Sequence, residues 1–329
     1  MSEEFYYKIN LPFSKKVINF KELTTKNQLE IEKINHYYPS SIEYYMEYHN
    51  NFLKVLKGCV ENFEEVLSLD IIEYLLLCLK LRITSIGNVL ELQIKSDDSK
   101  VKFTKISLDL QDLLKNILLA SENSLVNQEL IYEDKGLTIK FGWPDIKSIK
   151  NFHNLFFSTL SFQEKVLMTI PEFIREIEVN NDIIDFKNLN FDQKEKMLLN
   201  FPASIKNDIQ KAVLENINNL SNYDIFEISY FKDQKFNFYN LIYIELIKLI
   251  FSQNPKRIYE EIYILSNFNM SSEYVLNMSP SERKIYLSFI EAQKKSQEPT
   301  SEPSSIPVNN GNNRSLEDLS VEFGDLPPN

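Results

Sequence analysis

Several stretches in the first half of the chain alternate apolar and polar residues, the period of a strand that buries one face. These stretches lie at residues 5–11, 16–22, 89–94, 101–108 and 130–141. The last of them reads LIYEDKGLTIKF, in which Asp134, Lys135 and Gly136 suit a tight turn between two strands. The pattern therefore predicts short antiparallel strands over residues 1–145.

Apolar residues spaced three and four positions apart predict helices among these strands. A first helix is expected to begin at Thr24 or Thr25 and to run to about Asn35. Two longer helices are predicted at residues 41–64 and 69–83. This mixture of strands and helices assigns the N-terminal half of the chain to the α+β class.

From Trp143 and Pro144 onward the helical spacing dominates, so the C-terminal half is predicted to be all-helical. The predicted helices cover residues 146–160, 162–178, 191–219, 236–252, 255–266, 271–277 and 279–295. Pro171 and Pro202 are expected to kink or split two of them. The helix at 279–295 has a typical start, with a Ser cap, Pro at the first position and an acid in the first turn.

The composition changes again at Ser296, where the chain becomes rich in Pro, Ser, Asn and Glu and is predicted to be disordered. We therefore predict an α+β domain at 1–145, a helical domain at 146–295 and a disordered acidic tail at 296–329. The end of the tail holds apolar residues among acids, which form either a short partner-binding segment or an ordinary tail. These residues are Leu316, Leu319, Val321, Phe323 and Leu326.

The net charge of the chain indicates which classes of partner it can bind. The 329 residues carry a formal net charge of −11, and the sequence pI is about 5.0. Neutralisation of phosphates supplies most of the affinity of nucleic-acid-binding proteins, so this balance argues against a nucleic-acid partner. The N-terminus lacks the features of a signal peptide, and no apolar run approaches the ~20 residues that a membrane helix needs. We expect a soluble protein of a reducing compartment without a membrane partner.

Residues able to do chemistry are few and scattered. Cys59 and Cys78 lack the spacing of a zinc site and lie among apolar residues, so both are interpreted as buried thiols. None of the histidines, His36, His49 and His153, has a second ligand nearby in sequence. Phosphate-loop and nucleophile motifs are absent from the sequence. We therefore predict no catalytic, metal or cofactor site, and an enzyme with dispersed carboxylates is the last of the alternatives.

The helix predicted at 69–83 carries the most distinctive motif, DIIEYLLLCLKLRITSIG. Its motif residues are Asp70, Leu75, Leu76, Leu81, Arg82, Ser85 and Gly87. Ser68 is expected to cap this helix, with Asp70 adding negative charge to its first turn. Arg82 is expected to face the negative end of the helix dipole, and Gly87 to supply a positive φ. We interpret these residues as maintaining the fold.

The order of these motifs resembles the baseplate hub and tail-assembly chaperone proteins of T4-like, contractile-tailed bacteriophages. The resemblance covers residues 8–145 and 270–292, and it is carried by ordered matches rather than by any single motif. Besides the motif of the helix at 69–83, the matches are Leu11-Pro12, Thr24-Thr25, Cys59 within LKVLKGCV, Asp109-Leu110, and Glu282, Arg283 and Tyr286 within MSPSERKIYLSFIEA. Many relatives carry a CxxC between the two strands, where this chain has residues 95–100, KSDDSK, so metal binding is not carried over.

The resemblance implies a non-enzymatic tail-assembly protein, either a baseplate hub subunit or a chaperone for hub and tape-measure assembly. Its implied partners are hub proteins and the tape-measure protein, and its implied location is the host cytoplasm and the tail or baseplate of the virion. A helical adaptor module that binds a host or viral protein is the alternative. Stoichiometry and the contact surface are left open by the sequence.

Overall fold

The structure, a computed structural model, describes residues 6–35, 42–95, 103–122, 128–148, 168–222 and 244–297. The chain divides into two units, Met1–Leu287 and Ser288–Asn329. All contacts described below lie within the first unit.

The N-terminal hairpin is followed by four helices. β1 (Tyr7–Asn10) pairs in antiparallel fashion with β2 (Val17–Phe20). The helices are α1 (Thr25–Asn35), α2 (Ile42–Cys59), α3 (Phe63–Leu67) and α4 (Ile71–Ser85). α4 is apolar and buried on nearly every side, the pattern of a helix surrounded by protein. It therefore forms the centre of the N-terminal core.

A second antiparallel pair and a fifth helix follow α4. β3 (Val89–Lys95) pairs with β4 (Phe103–Asp109), as the alternation predicts. α5 (Leu110–Glu122) begins directly after β4. No element is predicted for residues 110–122 from the sequence, although the inward residues of α5 have helical spacing. These residues are Leu110, Leu113, Leu114 and Ile117.

The largest sheet has four antiparallel strands in chain order. They are β5 (Glu129–Tyr132), β6 (Leu137–Phe141), β7 (Ile174–Val179) and β8 (Asp182–Asp185). Between β5 and β6, Gly136 adopts the left-handed conformation with φ 53°, which closes the expected tight turn. Leu137, Ile139 and Ile177 point from the sheet into the core.

Six helices make up most of the described residues after the sheet. They are α6 (Phe191–Leu199), α7 (Ala203–Asn222), α8 (Ile244–Ile250), α9 (Pro255–Asn267), α10 (Ser272–Asn277) and α11 (Pro280–Gln297). Pro202 separates α6 from α7, as expected. The predicted start of α11 is also confirmed, because Ser279 N donates to Glu282 Oε2 at 2.7 Å and Glu282 N donates to Ser279 Oγ at 3.2 Å.

The α+β class is confirmed, and the C-terminal half is mostly helical, but part of one predicted helix is wrong. Residues 174–178 of the helix predicted at 162–178 belong instead to β7, and β8 follows it. The error has a physical cause. The pairing of β6 with β7 shifts register between Lys140 and Phe141, so that Ile174 and Ile177 both face the core although they lie three positions apart. That spacing is typical of a helix.

One hydrophobic core runs from Leu11 through the sheet to Phe251. The four-stranded sheet takes two strands from each side of residue 145, and the division into domains at that residue stays a prediction. Of the tail predicted at 296–329, Ser296 and Gln297 end α11. The rest of the tail, with the segment 316–326, lies outside the described residues.

Candidate functional site

The N-terminus of α4 is capped by Asp70, and this corrects the expectation that Ser68 caps it. Asp70 Oδ1 accepts hydrogen bonds from Ile72 N at 3.0 Å and Glu73 N at 2.9 Å. Ser68 instead ends α3, where its hydroxyl donates to Glu65 O at 2.7 Å. The capping bonds satisfy two of the backbone N–H groups that a helix start leaves unpaired.

Asp70 also lies where α4 meets the four-stranded sheet. Ile71 N donates to Pro144 O at 2.9 Å, and Arg175 Nη2 lies 3.5 Å from Asp70 Oδ2. Burial raises the pKa of Asp70 to about 7, although the two capping N–H groups and Arg175 act in the opposite direction. Asp70 and its neighbour Ile71 therefore join three parts of the chain: α4 and β7 through the Asp70 carboxyl group, and the segment after β6 through the Ile71 backbone.

Gly142 leaves the space that Arg175 occupies. A Cβ atom added to Gly142 would lie 1.7 Å from Arg175 Nε, and the backbone N of Gly142 donates to Phe173 O at 2.9 Å. A side chain at this position would displace the guanidinium that faces Asp70. Glycine is needed here for close approach rather than for an unusual φ.

A second polar cluster lies beside the same segment. Glu172 Oε2 accepts from Lys194 Nζ at 2.8 Å and from Ser148 Oγ at 2.7 Å. The Lys194 and Glu172 side chains are only 6% and 3% exposed. Asp145 accepts from Ser148 N at 3.0 Å and lies 3.6 Å from Lys187 Nζ. The buried pair of Glu172 and Lys194 fixes α6 against the turns that precede β7.

The C-terminal end of α4 is held by Arg82 and Ser85. The Arg82 guanidinium donates to the backbone oxygens of Ile250 at 2.8 Å, Gly87 at 2.5 Å and Val89 at 3.4 Å. Burial lowers the pKa of Arg82 to about 10, so the group stays charged at neutral pH. Ser85 Oγ accepts from Leu23 N at 2.9 Å.

Two expectations for this motif can be compared with these contacts. Gly87 has φ 127°, so the predicted positive φ is confirmed. Arg82 lies in the last turn of α4 as predicted, and it also reaches Ile250, the last residue of α8, where carbonyl groups point away from the helix. Leu76 and Leu81 are buried, and Leu75 is half-buried against the same core. The leucines of the motif pack in the core, and Asp70, Arg82 and Ser85 bond to neighbouring elements at the two ends of α4.

A third junction, around Arg283, ties α1 to the helices at the other end of the chain. Arg283 donates through Nε to Glu261 Oε2 at 3.0 Å, through Nη2 to Gln28 Oε1 at 2.9 Å, and through Nη1 to Thr25 Oγ1. Thr25 N also donates to Met278 O at 2.8 Å. In the sequence, Arg283 is indicated by the family resemblance only. No local pattern marks partners that lie more than 250 positions apart.

The chemistry expected of the cysteines and histidines can be tested in part. Cys59 and Cys78 are buried free thiols, as predicted, and burial raises the pKa of both, that of Cys59 to about 11. His49 is buried with its ring edge-on to Tyr74, whereas His36 and His153 lie outside the described residues. Among the residues that the structure describes, no three His, Cys, Asp or Glu side chains are grouped to hold a metal ion. None of the helices described is long and apolar enough to cross a membrane.

The chain was compared with known proteins. A family model described as T4 bacteriophage base plate protein matches residues 4–225. This span contains the α4 motif, the four-stranded sheet and the Glu172–Lys194 pair. Searches of curated proteins and of solved structures gave no significant match.

Proposed function

Because this chain belongs to the T4 bacteriophage base plate protein family, we propose that it is a non-enzymatic subunit of the base plate hub. The observation that carries the proposal is the family match over residues 4–225. A subunit of this kind works by holding its neighbours in place, so its partners are other structural proteins of the phage. We expect those partners to be hub proteins and the tape-measure protein, and the protein to be located in the tail of the virion.

The contacts of the buried charged groups support a structural role. Asp70, Arg82, Glu172 and Arg283 all bond to groups of this chain that lie in other elements. Perturbed pKa values often mark catalytic sites, but burial explains those of Asp70 and Arg82, and both side chains are occupied in joining helices to neighbouring segments.

Exposed aromatic residues on α9 support a protein-binding role. Tyr259 and Tyr263 lie one helical turn apart and are 54% and 69% exposed. Tyrosine is enriched in protein–protein interfaces because it combines a large apolar ring with a polar hydroxyl. This face of α9 is available for contact with another subunit.

Two alternatives predict different locations for the protein. A chaperone for hub or tape-measure assembly is favoured by the net charge of −11, which would help to keep an aggregation-prone partner soluble. An adaptor that binds a host protein is the other alternative. A hub subunit stays in the mature particle, a chaperone leaves it, and an adaptor is bound to host proteins.

Quantitative mass spectrometry of purified phage particles and of infected-cell lysates separates these functions. We expect the protein in mature particles, at a fixed ratio to the other base plate proteins. Its presence in tail-assembly intermediates but not in particles would assign it as a chaperone instead. Absence from both, with only host proteins captured by a tagged chain, would exclude a tail role.

The segment 316–326 is proposed as a partner-binding segment of this subunit. Exchange of its five apolar residues for Ser should reduce capture of tail proteins by the tagged chain, because the proposed contact with the partner depends on these apolar side chains. The matched control exchanges five residues within 299–310 for Ser or Ala. Equal capture by both variants would contradict the proposal.

A further inference from the structure

The outer face of the four-stranded sheet has a regular arrangement that the proposed function does not explain. Alternate residues of β6, Leu137, Ile139 and Phe141, are buried, so Thr138 and Lys140 lie on the opposite face. Strand pairing extends this face over all four strands. We call it the outer sheet face, and it comprises Glu129, Ile131, Thr138, Lys140, Glu176, Glu178, Ile183 and Asp185.

The register arranges these residues in two rows that cross the strands. One row runs Ile131, Thr138, Glu178, Ile183, and the other runs Glu129, Lys140, Glu176, Asp185. Each row spans four strands, so its outermost residues are about 14 Å apart. Both rows therefore present a surface of the size that a partner strand or helix covers.

Apolar groups stand at both ends of the first row. Ile131 is 58% exposed and Ile183 is 64% exposed. A single exposed isoleucine is ordinary on a protein surface. Two of them in one row, on opposite edge strands, provide two apolar contacts that one partner surface can cover at the same time.

The charge of the outer sheet face specifies the chemistry of that partner. Four carboxylates stand against one ammonium group, Lys140, whose Nζ lies 2.9 Å from Glu176 Oε2. The carboxylates of Glu176, Glu178 and Glu129 all raise the pKa of Lys140, which shows that they act on the same small area. Once Lys140 is paired with Glu176, three carboxylates remain without a cation of this face. A surface of this charge repels nucleic acid and attracts lysine and arginine side chains.

We propose that the outer sheet face docks on a protein surface that carries lysine or arginine side chains between apolar residues. The isoleucines supply apolar contact at the two edges, and Glu129, Glu178 and Asp185 bind the partner's cations. The inference rests on the proposed function in taking this partner to be another phage tail protein. It goes further in naming the contact surface and the chemistry of the partner.

Site-specific photo-crosslinking in infected cells tests the inference with the full chain. The probe is p-benzoylphenylalanine in place of Thr138, which lies in the middle of the isoleucine row. The control site is Lys211, whose side chain is 76% exposed. It lies on α7 and not on the sheet. We expect the Thr138 probe, but not the Lys211 probe, to form a crosslink to a lysine- or arginine-rich peptide of a tail protein.

Charge reversal then tests whether the carboxylates of the outer sheet face attract the partner. Glu129→Lys with Glu178→Lys should lower the crosslink yield at Thr138 by about tenfold, since reversal converts attraction into repulsion. Glu47→Lys with Glu215→Lys changes the net charge equally at exposed positions of α2 and α7, and should leave the yield unchanged. Equal losses in both variants, or crosslinks from Thr138 to a second copy of the chain, to nucleic acid or to an acidic peptide, would overturn the inference.

The outcome can be separated from that of the proposed function. If the protein is absent from mature particles but Thr138 still forms the crosslink to a basic tail protein, the hub assignment is wrong and the docking surface stands. If the protein is present in particles but Thr138 forms no crosslink, the docking surface is wrong and the hub assignment stands.

Discussion

At the scale of single residues, breaking the buried ion pair of Glu172 and Lys194 is expected to lower stability strongly, because both charges are removed from water. Removal of one charge takes away the opposite charge of this buried pair, which typically costs about 3–5 kcal/mol. Glu172→Gln and Lys194→Met should therefore each lower the free energy of unfolding by about 3 kcal/mol or more. Denaturant unfolding followed by circular dichroism measures this quantity.

A matched control for that variant is available on α7. Lys211 and Glu215 form an ion pair of 3.9 Å with side chains 76% and 62% exposed. Solvent screens such a pair, so Lys211→Met should change the free energy of unfolding by less than about 0.5 kcal/mol. Similar losses at the buried and the exposed pair would show that Glu172 and Lys194 do not anchor α6.

The raised pKa of Asp70 predicts how the free energy of unfolding changes with pH. Its pKa is about 7 in the folded protein against a usual value of 3.8, because burial disfavours the charged form. Between these values the folded protein holds a proton that the unfolded chain has released, so the free energy of unfolding falls as the pH rises. One such group contributes at most about 1.4 kcal/mol per pH unit.

The variant Asp70→Asn isolates this effect. Asparagine keeps an oxygen that caps α4 but does not titrate. Urea unfolding at pH values from 4.5 to 7 should show a shallower loss of stability in the variant than in the wild type. Glu32, whose pKa burial also raises to about 7, acts in the same direction in both proteins, so the difference between them reports Asp70. Parallel pH curves would contradict the assignment.

At the scale of elements, Arg283 connects α11 to α1 and α9. Arg283→Met removes the guanidinium and with it the hydrogen bonds to Gln28 and Glu261. We expect backbone amides of α1, α9 and α11 to lose protection from hydrogen exchange, while those of α4 and β6 keep theirs, because local opening follows the contacts that are lost.

Hydrogen exchange measured by mass spectrometry distinguishes this local effect from general destabilisation. Lys284→Met is the matched control, since Lys284 is the next residue and is exposed. A uniform loss of protection in Arg283→Met, or an equal effect in the control, would contradict a junction role for Arg283.

Element by element, the sequence predicts what depends on local spacing and misses what depends on distant pairing. The hairpins and most described helices follow from period and from caps such as Ser279. β7 is missed because a bulge gives Ile174 and Ile177 the spacing of a helix. The partners of Glu172 and Arg283 are set by the folded chain, so neither pair has a signal in the sequence.

At the scale of the whole molecule, residues outside the family match complete the core of those inside it. The match ends at residue 225, whereas α8 begins at Ile244. Phe251 is buried with its ring centroid 5.1 Å from that of Phe52 on α2, and Ile250 O accepts the bond from Arg82. α8 is therefore part of the same hydrophobic core as α4.

Two truncations test this continuity. The chain 1–225 loses Ile247, Ile250 and Phe251 from the core and the acceptor of Arg82, and deletion of several large buried side chains exceeds the usual margin of stability. We expect it to lack a cooperative thermal transition and to bind a hydrophobic dye. The chain 1–297 keeps every described contact, so its melting temperature should match that of the full chain. A cooperative transition for 1–225 at the temperature of the full chain would show that the family-matched segment folds without α8–α11, and that Arg82 does not depend on them.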